Sequence, residues 1–309
     1  MIQVSHLTKM YGPRTAVSDL SFNVEKGEIV GFLGPNGAGK STTMKIITGL
    51  MPATAGKVTV AGYDVFDKSI EAKRNIGFLP ETPPVYPDMQ VEDYLDFAAR
   101  LHQVPNSSLR SAVDTALQKT ALTDVRRRLI GNLSKGYRQR VGLAQAIIHN
   151  PKVLILDEPT VGLDPNQILE IRDLITGFAG DHTVILSSHI LQEVTATCKR
   201  VIVIAKGQIV AEDTIERLTT RMRKGVVCNL PVRNAAATGI EAIRKIPGVV
   251  GASARGSDTV EIQIAQRSEN ARDKIVETAV HAGMGVLEFA AERKSLEEVF
   301  RDLTTSQGA

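Results

Sequence analysis

A glycine-rich stretch that ends in a lysine and hydroxyl residues is the strongest chemical signal in the sequence. Residues 31–43 read GFLGPNGAGKSTT and directly follow the apolar residues Ile29 and Val30. They contain the phosphate-binding pattern G-x-x-x-x-G-K-[ST], the P-loop, with every fixed position matched. The residues of the match are, in chain order, Gly34, Pro35, Asn36, Gly37, Ala38, Gly39, Lys40 and Ser41. The pattern predicts a strand, a loop, and a helix that starts near Lys40 and runs through STTMKIITGL.

Each residue type in this loop has a chemical reason. Glycines let the backbone curl so that several N–H groups point at phosphate oxygens, and the helix N-terminus adds partial positive charge there. We expect Lys40 to contact the β- and γ-phosphates, and Ser41 to ligate Mg²⁺. Thr42 belongs to the same first helical turn and to the same binding set. The loop therefore predicts a site for a nucleoside triphosphate, with ATP as the expected ligand.

Two adjacent carboxylates after a second apolar run supply the other half of such a site. Residues 153–156 read VLIL and are followed by Asp157 and Glu158. Carboxylates next to a buried strand are costly unless a cation or a proton transfer uses them. Asp157 fits a ligand of Mg²⁺, and Glu158 fits the general base that polarises an attacking water. Together with the P-loop, this pair predicts hydrolysis of the triphosphate.

A third segment lies between these two and indicates which class of P-loop protein this is. Residues 133–140 read LSKGYRQR, ahead of the helical pattern VGLAQAIIHN. Ser134 fits a helix N-cap, and Gly136 permits close approach of the backbone. At this point the chain resembles the nucleotide-binding subunits of ATP-binding cassette (ABC) transporters, whose signature is LSGGQ. Lys135 and Tyr137 depart from that signature.

The resemblance implies roles for several residues. Ser134 and Gly136 would bind the γ-phosphate of ATP held by a second copy of the chain. Tyr11 is in the position of the aromatic residue that stacks on adenine, and His189 is in the position of the histidine that contacts the γ-phosphate. Glu81 stands where the family usually has a glutamine that touches Mg²⁺ and the attacking water, so we expect Glu81 to tune the dependence on Mg²⁺.

The resemblance extends over about residues 1–220 and implies an ATPase subunit that drives a separately encoded permease. Similar subunits are mostly parts of exporters, so export is the expected direction. A homodimer would hold ATP between its two cassettes, as a peripheral protein on the cytoplasmic face of the cell membrane. The alternative is an ABC-type ATPase that acts on DNA or ribosomes without transport. DNA-repair relatives have a long heptad insertion, and ribosome-acting relatives usually have two cassettes. The sequence shows no such insertion and one cassette. A cassette that has lost catalysis would not need Lys40, Asp157, Glu158 and His189.

The predicted architecture is an α/β P-loop ATPase core with a small antiparallel β part. Residues 88–149 read as an inserted helical subdomain, which the proline-rich linker ETPPVYPDM joins to the core. Residues 221–309 read as an accessory domain, regulatory or dimerising, with the element order β-α-β-β-α-β of a ferredoxin-like domain. A last helix is predicted from Ser295, where Ser295 and Glu298 match a capping box.

Composition excludes several other classes of protein. The chain has 309 residues, a net charge of +3 and 43% hydrophobic residues, which is ordinary for a globular protein and predicts no nucleic-acid partner. Its two cysteines, Cys198 and Cys228, suggest neither a disulfide framework nor a zinc site. No apolar run reaches the roughly 18–20 residues that span a bilayer, and the first residues do not read as a signal peptide. We therefore expect a chain that stays inside the cell.

Overall fold

The structure is a computed structural model that describes residues 1–217, 226–265 and 269–292. The described residues form two compact units, one that ends at Ile215 and one that begins at Glu216. Each unit has its own core and is described by itself. In the described ranges, no helix combines the length and the apolar character needed to cross a membrane.

An antiparallel sheet begins the first unit and corresponds to the small β part predicted near the N-terminus. Its strands are β1 (Ile2–Tyr11), β2 (Arg14–Val24), β4 (Ala55–Val60) and β5 (Tyr63–Asp64), in the order β2-β1-β4-β5. Apolar residues alternate with polar ones along β1 and β2, so one face of this sheet is buried.

The second sheet of this unit is mostly parallel, as expected for an α/β core. Its strands are β3 (Ile29–Leu33), β6 (Ile76–Leu79), β7 (Val153–Asp157), β8 (Thr183–Ser188), β9 (Arg200–Ala205) and β10 (Gln208–Thr214), in the order β10-β9-β3-β8-β7-β6. Only β10 runs antiparallel to its neighbour. Every residue of β3, β7 and β8 is buried, which is typical of parallel strands covered on both faces. Because these three strands are neighbours, the loops at their carboxyl ends meet at one edge of the sheet.

Helices cover this sheet and form the inserted subdomain. They are α1 (Lys40–Ile47), α2 (Ser69–Arg74), α3 (Val91–Leu101), α4 (Leu109–Lys119), α5 (Lys135–Ile147), α6 (Pro165–Gly177) and α7 (Leu191–Thr197). Helices α3, α4 and α5 pack against one another between β6 and β7, within the range predicted to be helical. Helix α1 starts at Lys40 as predicted but ends at Ile47, three residues before the end of the predicted run.

The second unit contains a four-stranded antiparallel sheet and two helices. Its elements are β11 (Val226–Pro231), α8 (Ala237–Arg244), β12 (Val249–Ala254), β13 (Thr259–Ile264), α9 (Glu269–His281) and β14 (Ala290–Glu292), with the sheet order β12-β13-β11-β14. Buried apolar residues from both helices and from the sheet, such as Leu230, Ile243, Ile262 and Ile275, form its core. The element order is the predicted one, and the ferredoxin-like classification stays a prediction.

The prediction for the last strand of this unit is wrong over most of its length. The segment MGVLEFAAE reads as one extended strand, but only Ala290–Glu292 pair with β11, and Val286 makes an isolated bridge to Val232. Gly285, next to Val286, has a left-handed φ of 63°, which interrupts an extended backbone. The helix predicted from Ser295 lies outside the described residues.

Both cysteines are small buried hydrophobic residues, as their lack of a pattern suggests. Cys198 and Cys228 are free and buried. Burial raises the pKa of the Cys198 thiol to about 12 and raises the pKa of Cys228 as well. Neither thiol is therefore a reactive group.

Candidate functional site

The P-loop has the tight geometry that its glycines permit. Gly37 and Gly39 have φ values of 79° and 105°, in the left-handed region that residues with a side chain rarely adopt. A Cβ on Gly39 would lie 2.6 Å from the carbonyl oxygen of Ala16, and one on Gly34 would lie 2.4 Å from that of Ile204. The loop is thus held closely between β2 and β9, and α1 begins directly behind it.

Lys40 is buried inside this loop. Its Nζ donates hydrogen bonds to the carbonyl oxygens of Gly34 at 2.8 Å and Pro35 at 3.3 Å, and lies 3.1 Å from Glu158 Oε1. Because a buried charge is stable only when paired, the Lys40–Glu158 contact fixes both side chains in the same place. The two predicted halves of the site, the P-loop and the carboxylates after β7, therefore meet through this ion pair.

Glu158 is held by both its backbone and its carboxylate. Its φ of 50° is left-handed, an uncommon conformation for a residue with a side chain. Its N–H points at Ser187, 3.1 Å from the carbonyl oxygen and 3.2 Å from Oγ. Its Oε2 lies 2.8 Å from His189 Nδ1. The carboxylate is thus placed between an ammonium and an imidazole, where it can accept a proton.

Asp157 lies one residue before Glu158 and is buried as well. Its Oδ1 accepts a hydrogen bond from the Ser187 hydroxyl, so Ser187 orients both carboxylate residues. A serine in this position was not singled out from the sequence, because its role depends on the pairing of β7 with β8.

A cavity of about 600 Å³ gathers most of the predicted binding residues. Predicted residues in its wall are Tyr11, Asn36, Gly37, Gly39, Lys40, Ser41, Thr42, Glu81, Glu158 and His189. Gly34, Pro35, Ala38 and Asp157 are not in the wall, although each lies within two residues of one that is. Arg14, Ala16 and Val161 also line the cavity, and Arg14 and Ala16 were missed. For Arg14, the available signal was its closeness in sequence to Tyr11, across the turn between β1 and β2.

Tyr11 lies at the exposed part of the wall. Tyr11 is 46% exposed, and its hydroxyl donates a hydrogen bond to Met51 Sδ at 2.9 Å. Lys9 Nζ lies 5.4 Å from the centre of the ring. The ring is thus partly exposed beside the cavity, and its stacking on adenine stays a prediction.

The segment of Ser134 is not part of this cavity. Ser134 Oγ accepts a hydrogen bond from the Tyr137 backbone N–H at 3.3 Å, so Ser134 is the N-cap of α5, as predicted. A Cβ on Gly136 would lie 2.7 Å from Gln167 Oε1, which makes Gly136 the point where α5 approaches α6. Within the chain, Ser134 and Gly136 are therefore not brought to the P-loop.

The two departures from the signature each have a local contact. Lys135 lies over Gly162, whose hypothetical Cβ would come within 2.2 Å of Lys135 Nζ. Tyr137 donates a hydrogen bond to Asp124 Oδ2 at 3.3 Å and lies under the guanidinium of Arg140, 5.4 Å from its ring centre. Neither side chain changes the cap that Ser134 provides.

The donor set of the cavity suits a hard cation. Ser41 and Glu81 line the wall, and Asp157 lies behind it, so all three predicted metal ligands offer oxygen. Over residues 1–217, 226–265 and 269–292, no group of three or more His, Cys, Asp or Glu side chains is arranged to hold a metal. A Mg²⁺ ion usually has one or two carboxylate ligands together with phosphate oxygens and waters, so this sparse set fits it.

A larger cavity, of about 890 Å³, contains none of the predicted site residues. His102 and His149 stack in its wall with ring centres 3.7 Å apart, near His182. Burial, as the main cause, and the neighbouring His102, as the second, lower the pKa of His149 to about 4. Burial also lowers the pKa of His102 and the pKa of His182. The carboxylate in this wall, Asp181, is paired with Lys119 at 3.2 Å, and no residue of the P-loop lines the wall, so the chemistry is assigned to the smaller cavity.

Comparison with known proteins identifies the family of the chain. The family model described as "ABC transporter" matches residues 17–161. The linearmycin resistance ATP-binding protein LnrL of Bacillus subtilis is 32% identical over 310 residues, covering 98% of each chain. The bacitracin transport ATP-binding protein BcrA of Bacillus licheniformis is 37% identical over 243 residues, covering 78% of each.

A solved structure shows that the fold is shared as well. The dimeric ATP-binding cassette MJ0796, in a post-hydrolysis state with ADP and Pi, superposes with a TM-score of 0.64. The match covers 70% of this chain and 99% of the other, at 24% sequence identity.

Proposed function

Because this chain belongs to the ABC transporter family, as an ATP-binding and ATP-hydrolysing subunit, we propose that the cavity around Lys40 and Glu158 is its hydrolytic site. The observation that supports this most strongly is the buried contact of Lys40 Nζ with Glu158 Oε1 at 3.1 Å. A cation for phosphate and a carboxylate base are thereby held at one point of the cavity wall.

The P-loop binds the phosphates in this proposal. Gly37 and Gly39 curve the backbone so that its N–H groups face the cavity, and the N-terminus of α1 adds partial positive charge. Lys40 holds the β- and γ-phosphates, and Tyr11 stacks on adenine at the exposed end of the wall. Ser41 and Asp157 would hold Mg²⁺, with Glu81 as a further oxygen donor. Mg²⁺, when bound, neutralises the charge that develops on the phosphate oxygens.

Glu158 and His189 carry out the proton chemistry. Glu158 accepts a proton from the attacking water, since this residue lines the cavity. His189, 2.8 Å from Glu158 Oε2, orients that carboxylate and contacts the γ-phosphate. Positioning and charge neutralisation provide most of the rate enhancement in such reactions, so the buried contacts among these residues matter more than any single pKa.

A second copy of the chain completes the site. Ser134 and Gly136 lie outside the cavity of their own chain, at the N-terminus of α5, where Ser134 is exposed and Gly136 is buried against Gln167. A helix N-terminus with an exposed cap is suited to phosphate. Two chains in a symmetric pair would each present this segment to the ATP of the other. The dimeric state of the solved cassette supports this arrangement.

The partner outside the dimer is a membrane permease that binds beside the proline-rich linker. Tyr86 is 53% exposed, and its ring centre lies 5.8 Å from that of Phe97 and 6.1 Å from that of Tyr94. The linker begins near Glu81, in the wall of the nucleotide cavity, so a change there can reach this aromatic cluster. The chain would thus work at the cytoplasmic face of the membrane. The linearmycin resistance and bacitracin transport relatives favour export as its direction.

The hydrolytic assignment is tested by Glu158→Gln in the full chain. We expect the ATP turnover rate to fall by about a thousandfold because the base is lost, while ATP binding is retained. The same substitution should trap ATP-bound dimers, measured by analytical ultracentrifugation with and without ATP. Normal turnover by this variant would show that the base lies elsewhere.

The transport assignment is tested by purification of the tagged chain from membranes in a mild detergent. We expect a multi-span membrane protein in near-equal amount. Recovery of ribosomes, DNA or soluble proteins alone would contradict the transport assignment and leave the ATPase assignment intact.

A further inference from the structure

A carboxylate outside the cavity wall ties together the two loops that carry the proposed proton-transfer residues. Glu193, in the first turn of α7, accepts hydrogen bonds at Oε2 from Thr160 Oγ1 at 2.6 Å and from Ser188 Oγ at 2.8 Å. Thr160 lies two residues after Glu158, and Ser188 directly precedes His189. One oxygen atom of Glu193 thus joins the loop after β7 to the loop after β8.

We propose that Glu193 is a positioning residue that fixes the distance between Glu158 and His189. The inference rests on the proposed roles of those two residues in hydrolysis. Without a link, the loops would be joined near the site mainly by the Glu158–His189 contact itself and by the contacts of Ser187.

The backbone of Glu158 gives a physical reason for such a link. A residue with a side chain keeps a left-handed φ, here 50°, only when its surroundings hold it there. The turn that follows it is closed by hydrogen bonds from the Val161 N–H to the Glu158 carbonyl and from the Leu163 N–H to the Thr160 carbonyl, both 3.2 Å long. Anchoring Thr160 to Glu193 fixes this turn from its outer side.

The other end of the link acts on His189 in the same way. Ser188 Oγ donates to Glu193 and also accepts a hydrogen bond from the Ile190 backbone N–H at 3.0 Å. These two bonds fix the hydroxyl and the backbone on both sides of His189. Thr160 is 6% exposed and Ser188 is fully buried, so water does not readily replace these contacts.

The second oxygen of Glu193 shows that the carboxylate is kept at a cost. Oε1 is buried and has no hydrogen-bond partner among the described residues. An unsatisfied buried acceptor destabilises a fold, and a residue that serves stability alone is expected to use both oxygens. The hydrogen bonds that hold this carboxylate are therefore the two that share Oε2.

The test is Glu193→Ala in the full chain, with ATPase kinetics as the readout. We expect kcat to fall at least about tenfold, because misplacing reacting groups by a fraction of an ångström is costly, while KM for ATP changes little. Glu193→Gln should retain activity within about threefold, since its amide oxygen can still accept from both hydroxyls. Glu71→Ala, which removes an exposed carboxylate from α2, is the matched control and should leave kcat unchanged.

A double variant separates positioning from general destabilisation. In a chain that already has His189→Ala, adding Glu193→Ala should lower kcat much less than it does in the wild-type chain, because the pair to be positioned is gone. Equal losses in the two backgrounds would overturn the proposal. If Glu193→Ala fails to fold, Thr160→Val combined with Ser188→Ala removes the same two contacts and should give the same loss of kcat.

The outcome can also be told apart from a failure of the hydrolytic assignment. An inactive Glu158→Gln chain together with a fully active Glu193→Ala chain would overturn only the role of Glu193. A fully active Glu158→Gln chain would overturn the assignment on which it rests.

Discussion

Two helix N-termini in this chain are suited to phosphate, and they are built in opposite ways. Helix α1 begins behind Gly39, with no side-chain cap, inside a cavity that contains the buried ammonium of Lys40. Helix α5 begins behind Ser134, whose hydroxyl caps it, at an exposed position outside that cavity. The first faces a cavity of its own chain, and the second lies outside the cavity that gathers the P-loop residues.

This difference indicates that the two helix N-termini have different roles. The N–H groups behind Gly39 are free for a ligand, because no side chain occupies them, and the buried Lys40–Glu158 pair directs chemistry to that point. Ser134 satisfies its own helix and stays accessible, which suits a group that docks on a ligand held elsewhere. ATP binding should therefore depend on α1, and the assembly of two chains should depend on α5.

The largest expected effect comes from Lys40→Ala. We expect kcat/KM for ATP hydrolysis to fall by about a thousandfold, because the phosphates lose their cation and Glu158 loses its buried partner. ATP affinity of the single chain, measured by fluorescence titration, should fall with it. Unchanged ATP affinity would mean that the α1 site does not hold the phosphates.

Ser134→Arg should separate binding from hydrolysis. A bulky side chain at this exposed cap would block a second nucleotide-bearing chain, so hydrolysis should fall by about a hundredfold. ATP affinity of the single chain should stay as it is, because Ser134 is not part of the cavity wall. Equal losses of affinity and turnover would contradict the division of work between the two helices.

Substitution of one glycine at each helix start, Gly39 before α1 and Gly136 in α5, compares how strongly each position requires glycine. Gly39→Ala should lower the free energy of unfolding by about 2 kcal/mol or more, because a Cβ there would meet a backbone oxygen at a φ of 105°. Gly136→Ala should change it by less than about 1 kcal/mol, since the atom it meets ends the flexible side chain of Gln167. Urea denaturation measures both, and similar losses would contradict the account of Gly39.

The smallest expected effect concerns the metal. Glu81→Gln removes a negative charge from the cavity wall, so half-saturation of ATPase activity by Mg²⁺ should shift to about threefold higher concentration. A series of rates against Mg²⁺ concentration measures the shift. Superimposable curves for the wild-type and Glu81→Gln chains would contradict the assignment of Glu81 to the metal.

Features that depend on residues close together in the sequence could be predicted from it. The P-loop, the start of α1 at Lys40 and the cap at Ser134 follow from the chemistry of neighbouring residues, and the structure has each of them as predicted. The parallel core also follows from apolar runs such as residues 153–156.

Features that depend on the pairing of distant strands could not be predicted in this way. Ser187 meets Asp157 and Glu158 only because β8 lies beside β7, and Glu193 joins Thr160 to Ser188 only after both loops are in place. Arg14 lines the cavity because a separate sheet packs beside the P-loop. The last strand of the second unit was overestimated for a similar reason, since its apolar residues are typical of a strand but few of them find a partner.

The central claim is that each hydrolytic site combines the P-loop of one chain with the Ser134 segment of another. The most direct test mixes two defective chains, Lys40→Ala and Ser134→Ala, of which the second loses its hydroxyl without adding bulk to the interface, and measures ATP turnover. A mixed dimer has one site with both defects and one site with none, so the mixture should recover about a quarter of wild-type turnover. Turnover that stays at the sum of the two separate chains would show that each chain builds its site alone.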